Sequence, residues 1–104
     1  MPHNKIEDNL LLDYYGDLLT KHQVEILDEY LNEDLSMNEI AEMYKISKSA
    51  VQDLISRSLQ QLKNYEKVLN LIEKDKQFNT IIDEMKKENN ELLDKYINKI
   101  EKIK

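Results

Sequence analysis

One glycine and one proline serve all 104 residues. Sheet folds need glycine, proline and Asn-Gly turns at short intervals to reverse their strands. This chain has no such supply, and Gly16 is its only glycine. An all-helical fold is therefore expected, with helices linked by turns that polar side chains can cap. Hydrophobic residues make up 40% of the chain, enough to build a core and too many for a chain disordered along its whole length. A length of 104 residues suits a small helical protein.

Caps and periodicity predict about five helices. The first runs from Lys5 to about Leu19 behind Asn4, with Ile6, Leu10 and Tyr14 as its inward stripe and Leu11, Tyr15 and Leu18 beside them. Thr20 and Gln23 form a capping box for a second helix reaching about Asn32, with Val24, Leu27 and Leu31 inward. Ser36 and Glu39 form another, opening a short helix to Tyr44. Ser47 caps a fourth helix that nothing interrupts before about Lys74. Asp75 is expected to cap a fifth, running to the C-terminus as one long helix or as half of a hairpin with the fourth. A heptad frame fits this last helix, with Ile82, Met85 and Asn89 on its seam. That frame predicts a homodimer arm at 75–104 beside a domain at 1–74.

Residues 36–57 carry the functional signal. A short helix, a turn at Lys45-Ile46-Ser47 and a second helix is the arrangement that offers one helix to the DNA major groove. Ala41 is small where the helices cross, Ile46 is expected to plug their corner, and Val51 points back to lock the pair. Lys48, Ser49, Gln52, Asp53, Ser56 and Arg57 then face outward. Gln suits adenine, Ser either kind of base, and Asp accepts from cytosine. Lys45, Lys48, Arg57 and Lys63 are the candidate phosphate contacts, with Ser47 at the helix N-terminus.

Charge is segregated along the chain. Residues 1–44 hold two lysines against eleven acidic residues. Residues 45–67 hold five basic residues against two acidic ones, while residues 68–104 hold eight of each sign, so of these three divisions the middle one alone has a positive balance. The acidic side of the second helix, including Asp28, Glu29 and Glu33, is a candidate surface for a basic protein.

The segment at 36–57 resembles region 4 of bacterial sigma factors. Residues 5–75 resemble the YlxM-like family of DNA-binding helix-turn-helix proteins. The likeness rests on Leu18-Leu19-Thr20-Lys21 with Gln23, Tyr30-Leu31, Glu33 to Ser36 and Glu39-Ile40-Ala41-Glu42. It continues through Ile46-Ser47-Lys48, Ala50-Val51 with Asp53, and Tyr65-Glu66-Lys67. The resemblance implies a wingless helix-turn-helix protein tied to the signal recognition particle pathway, with that particle's GTPase and its receptor as expected partners. Lys48 and Arg57 are the positions it carries over. Ser49 and Asp53 depart from the basic recognition helices of sigma region 4.

Other chemistries find no support in the residues. There is no cysteine, no glycine-rich phosphate loop and no His pair at metal-ligand spacing, His3 and His22 being the only histidines. No enzymatic activity and no cofactor are expected. The N-terminus lacks a basic and apolar leader, and no apolar run is long enough to span a membrane, so a cytoplasmic location is expected.

Overall fold

A computed structural model describes residues 4–103, and His3 lies outside that range. The described residues form helices joined by short turns, with no strand. The helices are α1 (Lys5–Tyr15), α2 (Lys21–Asn32), α3 (Met37–Tyr44), α4 (Lys48–Leu69), α5 (Leu71–Lys87) and α6 (Glu91–Ile103). Gly16–Leu18 makes one turn of 3-10 helix after α1. The chain divides into two compact units, residues 1–70 and 71–104.

The helix starts follow from local chemistry. The Asn4 side chain accepts from the Glu7 N–H at 3.2 Å. Both capping boxes close in both directions. Gln23 N–H donates to Thr20 Oγ1 at 3.2 Å while Thr20 N–H donates to Gln23 Oε1 at 2.9 Å. The Ser36–Glu39 pair does the same at 3.0 and 3.1 Å. Each box satisfies donors that a helix start otherwise leaves exposed.

In residues 1–70, α4 is the axis on which α1, α2 and α3 all pack. Val51, Ile55, Leu59 and Leu62 are buried along one side of it, together with Ser58. Burying each of the large side chains is worth roughly 1.5–3 kcal/mol. Leu11 and Tyr15 come from α1, Ile26, Leu27 and Leu31 from α2, and Ile40 and Ala41 from α3.

Several expectations are corrected. The inward side of α1 is Asp8, Leu11 and Tyr15, whereas Ile6 is 82% exposed and Leu18 is also exposed. Apolar residues occupy both sides of this helix, so periodicity alone could not choose. Tyr15 decides it, because its hydroxyl donates to Glu66 on α4. In α2, Ile26 is fully buried and Val24 only half so. Helix α4 ends at Leu69 rather than near Lys74, since Asn70 takes the left-handed conformation with φ 56°. Asparagine tolerates that conformation better than most residues and so ends helices. Asp75 therefore lies inside α5 instead of capping it.

The long C-terminal helix is broken too. Asn89 has φ 53° and stands in the turn between α5 and α6, which removes the continuous heptad seam. Ile82 is buried and Met85 half-buried within residues 71–104, so neither offers the expected dimer stripe. Within residues 71–104, α5 and α6 pack on each other as a hairpin.

Candidate nucleic-acid interface

The two helices of the motif are joined by three residues. Lys45 ends α3 in the left-handed conformation with φ 56°, and Ile46 N–H returns to the Ala41 carbonyl at 3.0 Å. Main chain therefore closes the corner. Ile46, expected as its plug, is 37% exposed, and the packing falls to Ile40, Ala41, Val51 and Ile55. Ser47 then caps α4, its hydroxyl accepting from the Ala50 N–H at 3.0 Å.

With Val51 and Ile55 turned inward, helical geometry sends the intervening positions out. Lys45, Ser47, Lys48, Ser49, Gln52, Asp53, Ser56, Arg57 and Lys63 are all exposed. They spread along α4 rather than clustering at its start, however. Lys63 lies fifteen residues after Lys48, about 22 Å along the axis. It lines a shallow groove with Gln52, Ser56, Tyr30 and Met37. The turn at 45–47 and the first three turns of α4 form the compact part.

Electrostatics within that part are mixed. Arg57 Nε donates to Asp53 Oδ1 at 3.2 Å and lies 3.1 Å from Oδ2 in a salt bridge. The cation expected to meet phosphate is thus held by a carboxylate one turn back. Both groups are exposed, so the pair is weak and a phosphate can compete for the guanidinium. Lys45 and Lys48 flank the N-terminus of α4, where the helix's own N–H groups add positive potential.

The acidic face of α2 is smaller than the sequence suggested. Glu29 is half-buried and accepts from the Tyr44 hydroxyl of α3 at 2.7 Å. That hydrogen bond, then burial, then the charges of Glu29, Glu25 and Glu33 push the Tyr44 pKa up to about 12. His22 stacks edge-on against the Tyr44 ring at 5.4 Å. Asp28 takes a hydrogen bond from Asn32 at 2.8 Å and stays exposed, as does Glu33.

One polar network escaped the sequence analysis. Gln23 Nε2 donates to Ser58 Oγ at 3.0 Å and to Gln61 Oε1 at 2.6 Å. Gln23, Arg57, Gln60, Gln61 and Asn64 line an open polar groove along the flank of α4. Its members lie up to 41 residues apart, beyond the reach of any local pattern. Among the described residues no cluster of three acidic, His or Cys side chains could hold a metal ion. No helix there is long and apolar enough to cross a membrane.

The sequence profile described as "Putative helix-turn-helix protein, YlxM / p13 like" matches residues 3–103. The chain belongs to the YlxM / p13-like family. Three relatives that it resembles are each named UPF0122 protein. One from Clostridium perfringens is 43% identical over 107 aligned positions, covering 96% of each chain. One from Acetivibrio thermocellus is 53% identical over 68, covering 65% of this chain and 58% of that one. One from Desulforamulus reducens is 50% identical over 66, covering 64% and 56%. The YlxM / p13-like label agrees with the corner at Lys45–Ser47 and the exposed start of α4.

Proposed function

We propose that this YlxM / p13-like chain is a DNA-binding regulator, non-catalytic and cytoplasmic, that lays the first three turns of α4 in the major groove. The observation that carries the reading is the two-sidedness of this helix start. Val51 and Ile55 are fully buried, while Lys48, Ser49, Gln52, Asp53, Ser56 and Arg57 are exposed. Gln52 and Ser49 are the candidate base-reading groups, and Lys45, Lys48 and Arg57 hold phosphates with Ser47 at the helix N-terminus. Lys63 meets a phosphate outside this segment. Helix-turn-helix proteins read paired half-sites as dimers, so two copies form part of the reading.

The test is duplex DNA binding by the native chain and by a Lys48→Ala, Arg57→Ala double variant over a range of salt. Native binding is expected to weaken steeply with salt, and the variant to lose affinity and about two units of the log–log slope. Equal and salt-insensitive binding by both proteins overturns the groove reading.

The exposed carboxylates of Asp28 and Glu33 favour a second reading, an adaptor that meets a basic partner. The sequence resemblance points to the GTPase of the signal recognition particle and its receptor. Co-purification with either, lost on Asp28→Lys with Glu33→Lys, is the expected result. Glu29 is left intact there because Tyr44 depends on it. Retention by the reversed variant removes the acidic face from consideration.

A further inference from the structure

Residues 71–104 bury little within themselves. Ile72, Ile82 and Ile97 are their buried hydrophobic residues, with Met85, Leu93 and Ile100 half-buried. A two-helix unit of this size lies below the roughly 40 residues that usually sustain a core. The same unit presents large apolar side chains to solvent: Ile81 is 53% exposed, Leu92 61%, Tyr96 51% and Ile103 86%. On α6, Leu92, Tyr96 and Ile103 are spaced by four and seven residues, which sets them on one line of the helix.

Charges flank these residues unequally. Lys95 and Lys102 border the α6 line, while Lys99, seven residues after Leu92, stands on it with its Nζ 5.5 Å from the centre of the Tyr96 ring. Glu84 and Glu88 come after Ile81 on α5 and in the turn beyond it, at spacings of three and seven, and are exposed. Ile81 of α5 is thus followed by acid, with Lys74 seven residues before it, and the α6 line is bordered by base.

We propose that this face is covered by the same face of a second copy of the chain, with α5 of each copy against α6 of the other. Setting α6 against α6 would bring lysines onto lysines. Setting α5 against α6 brings Glu84 and Glu88 to Lys95, Lys99 and Lys102, and two-fold symmetry repeats the match. The result is a four-helix arrangement, in which two marginal helix pairs share one core. Ile81, Leu92, Tyr96 and Ile103 from both copies bury on the order of 1,000 Å², the threshold for a specific pair. The proposal rests on the two-copy element of the reading above, yet its test uses no nucleic acid, so either can fail alone.

Sedimentation equilibrium of the full chain over a concentration series tests it. Native protein is expected to approach twice its 12.4 kDa chain mass. Leu92→Lys is expected to raise the dissociation constant more than about tenfold with the helical circular dichroism unchanged. Glu84→Lys alone weakens the pair, and adding Lys99→Glu to the same chain restores it. A native mass of 12.4 kDa up to about 1 mM overturns the proposal. If Leu92→Lys then also lowers the melting temperature, the face docks within its own chain. A dimer that survives Leu92→Lys, or a charge exchange that fails to restore pairing, overturns it equally.

Discussion

On the proposed groove reading, Asp53 opposes the approach of α4 to a polyanion. It puts a negative charge on the exposed face and takes Arg57 into a salt bridge at 3.1 Å. Asp53→Asn removes both effects while keeping the side chain's shape. Its affinity for duplex DNA is expected to rise about two- to fivefold, the scale of one exposed ion pair, in a binding titration at fixed low salt. Unchanged affinity would mean that the ion pair does not oppose binding, and lower affinity that the carboxylate itself contacts a base. A second residue-scale expectation concerns Tyr44. Its pKa is pushed from 10.0 in the free side chain to about 12 by the bond to Glu29. The folded state then keeps a proton that the unfolded chain has released. Stability from this group is complete below pH 10 and drains away as the pH rises toward 12. Denaturant titrations across that window should fall less steeply for Tyr44→Phe than for the native chain.

At the level of elements, the caps are where sequence and structure agree most closely. Thr20 with Gln23 and Ser36 with Glu39 are three residues apart, so their hydrogen bonds need nothing from the rest of the fold. Ser36→Ala and Ser47→Ala are each expected to cost about 1 kcal/mol, seen as a fall of roughly 4–8 °C in melting temperature. The helix-turn-helix outline was legible for the same reason: Ser47 and the Val51–Ile55 spacing fix where α4 starts and which side faces in. What was not legible depended on tertiary context. The inward side of α1 is chosen by Tyr15 reaching Glu66, 51 residues away. The breaks at Asn70 and Asn89 need a left-handed residue that composition does not announce. Among site residues, outward placement could be read from the period of α4, but the capture of Arg57 by Asp53 was overlooked at its four-residue spacing. The Gln23–Ser58–Gln61 network had no sequence signal at all, because its partners come from separate helices.

For the whole molecule, the uneven division of the core makes its own prediction. Nearly all the large buried side chains lie before Asn70, and only Ile72, Ile82 and Ile97 after it. A fragment of residues 1–70 is expected to melt cooperatively with full helical circular dichroism. A fragment of residues 71–104 should be largely unstructured at micromolar concentration and gain helix as concentration rises. A concentration-independent helical signal from that second fragment would contradict this division of stability. The segregated charge works at the same scale. Eleven acidic residues precede Lys45 in the chain, and five basic residues against two acidic ones follow at 45–67; on the proposed DNA-binding reading, the exposed acids repel a nucleic acid that approaches them. On that reading, encounters led by the tip of α4 are favoured, and the protein's own repulsion acts as a filter on orientation. Raising the ionic strength loosens that filter even as it weakens the grip, and wrong-way collisions become more frequent as right-way complexes grow shorter-lived.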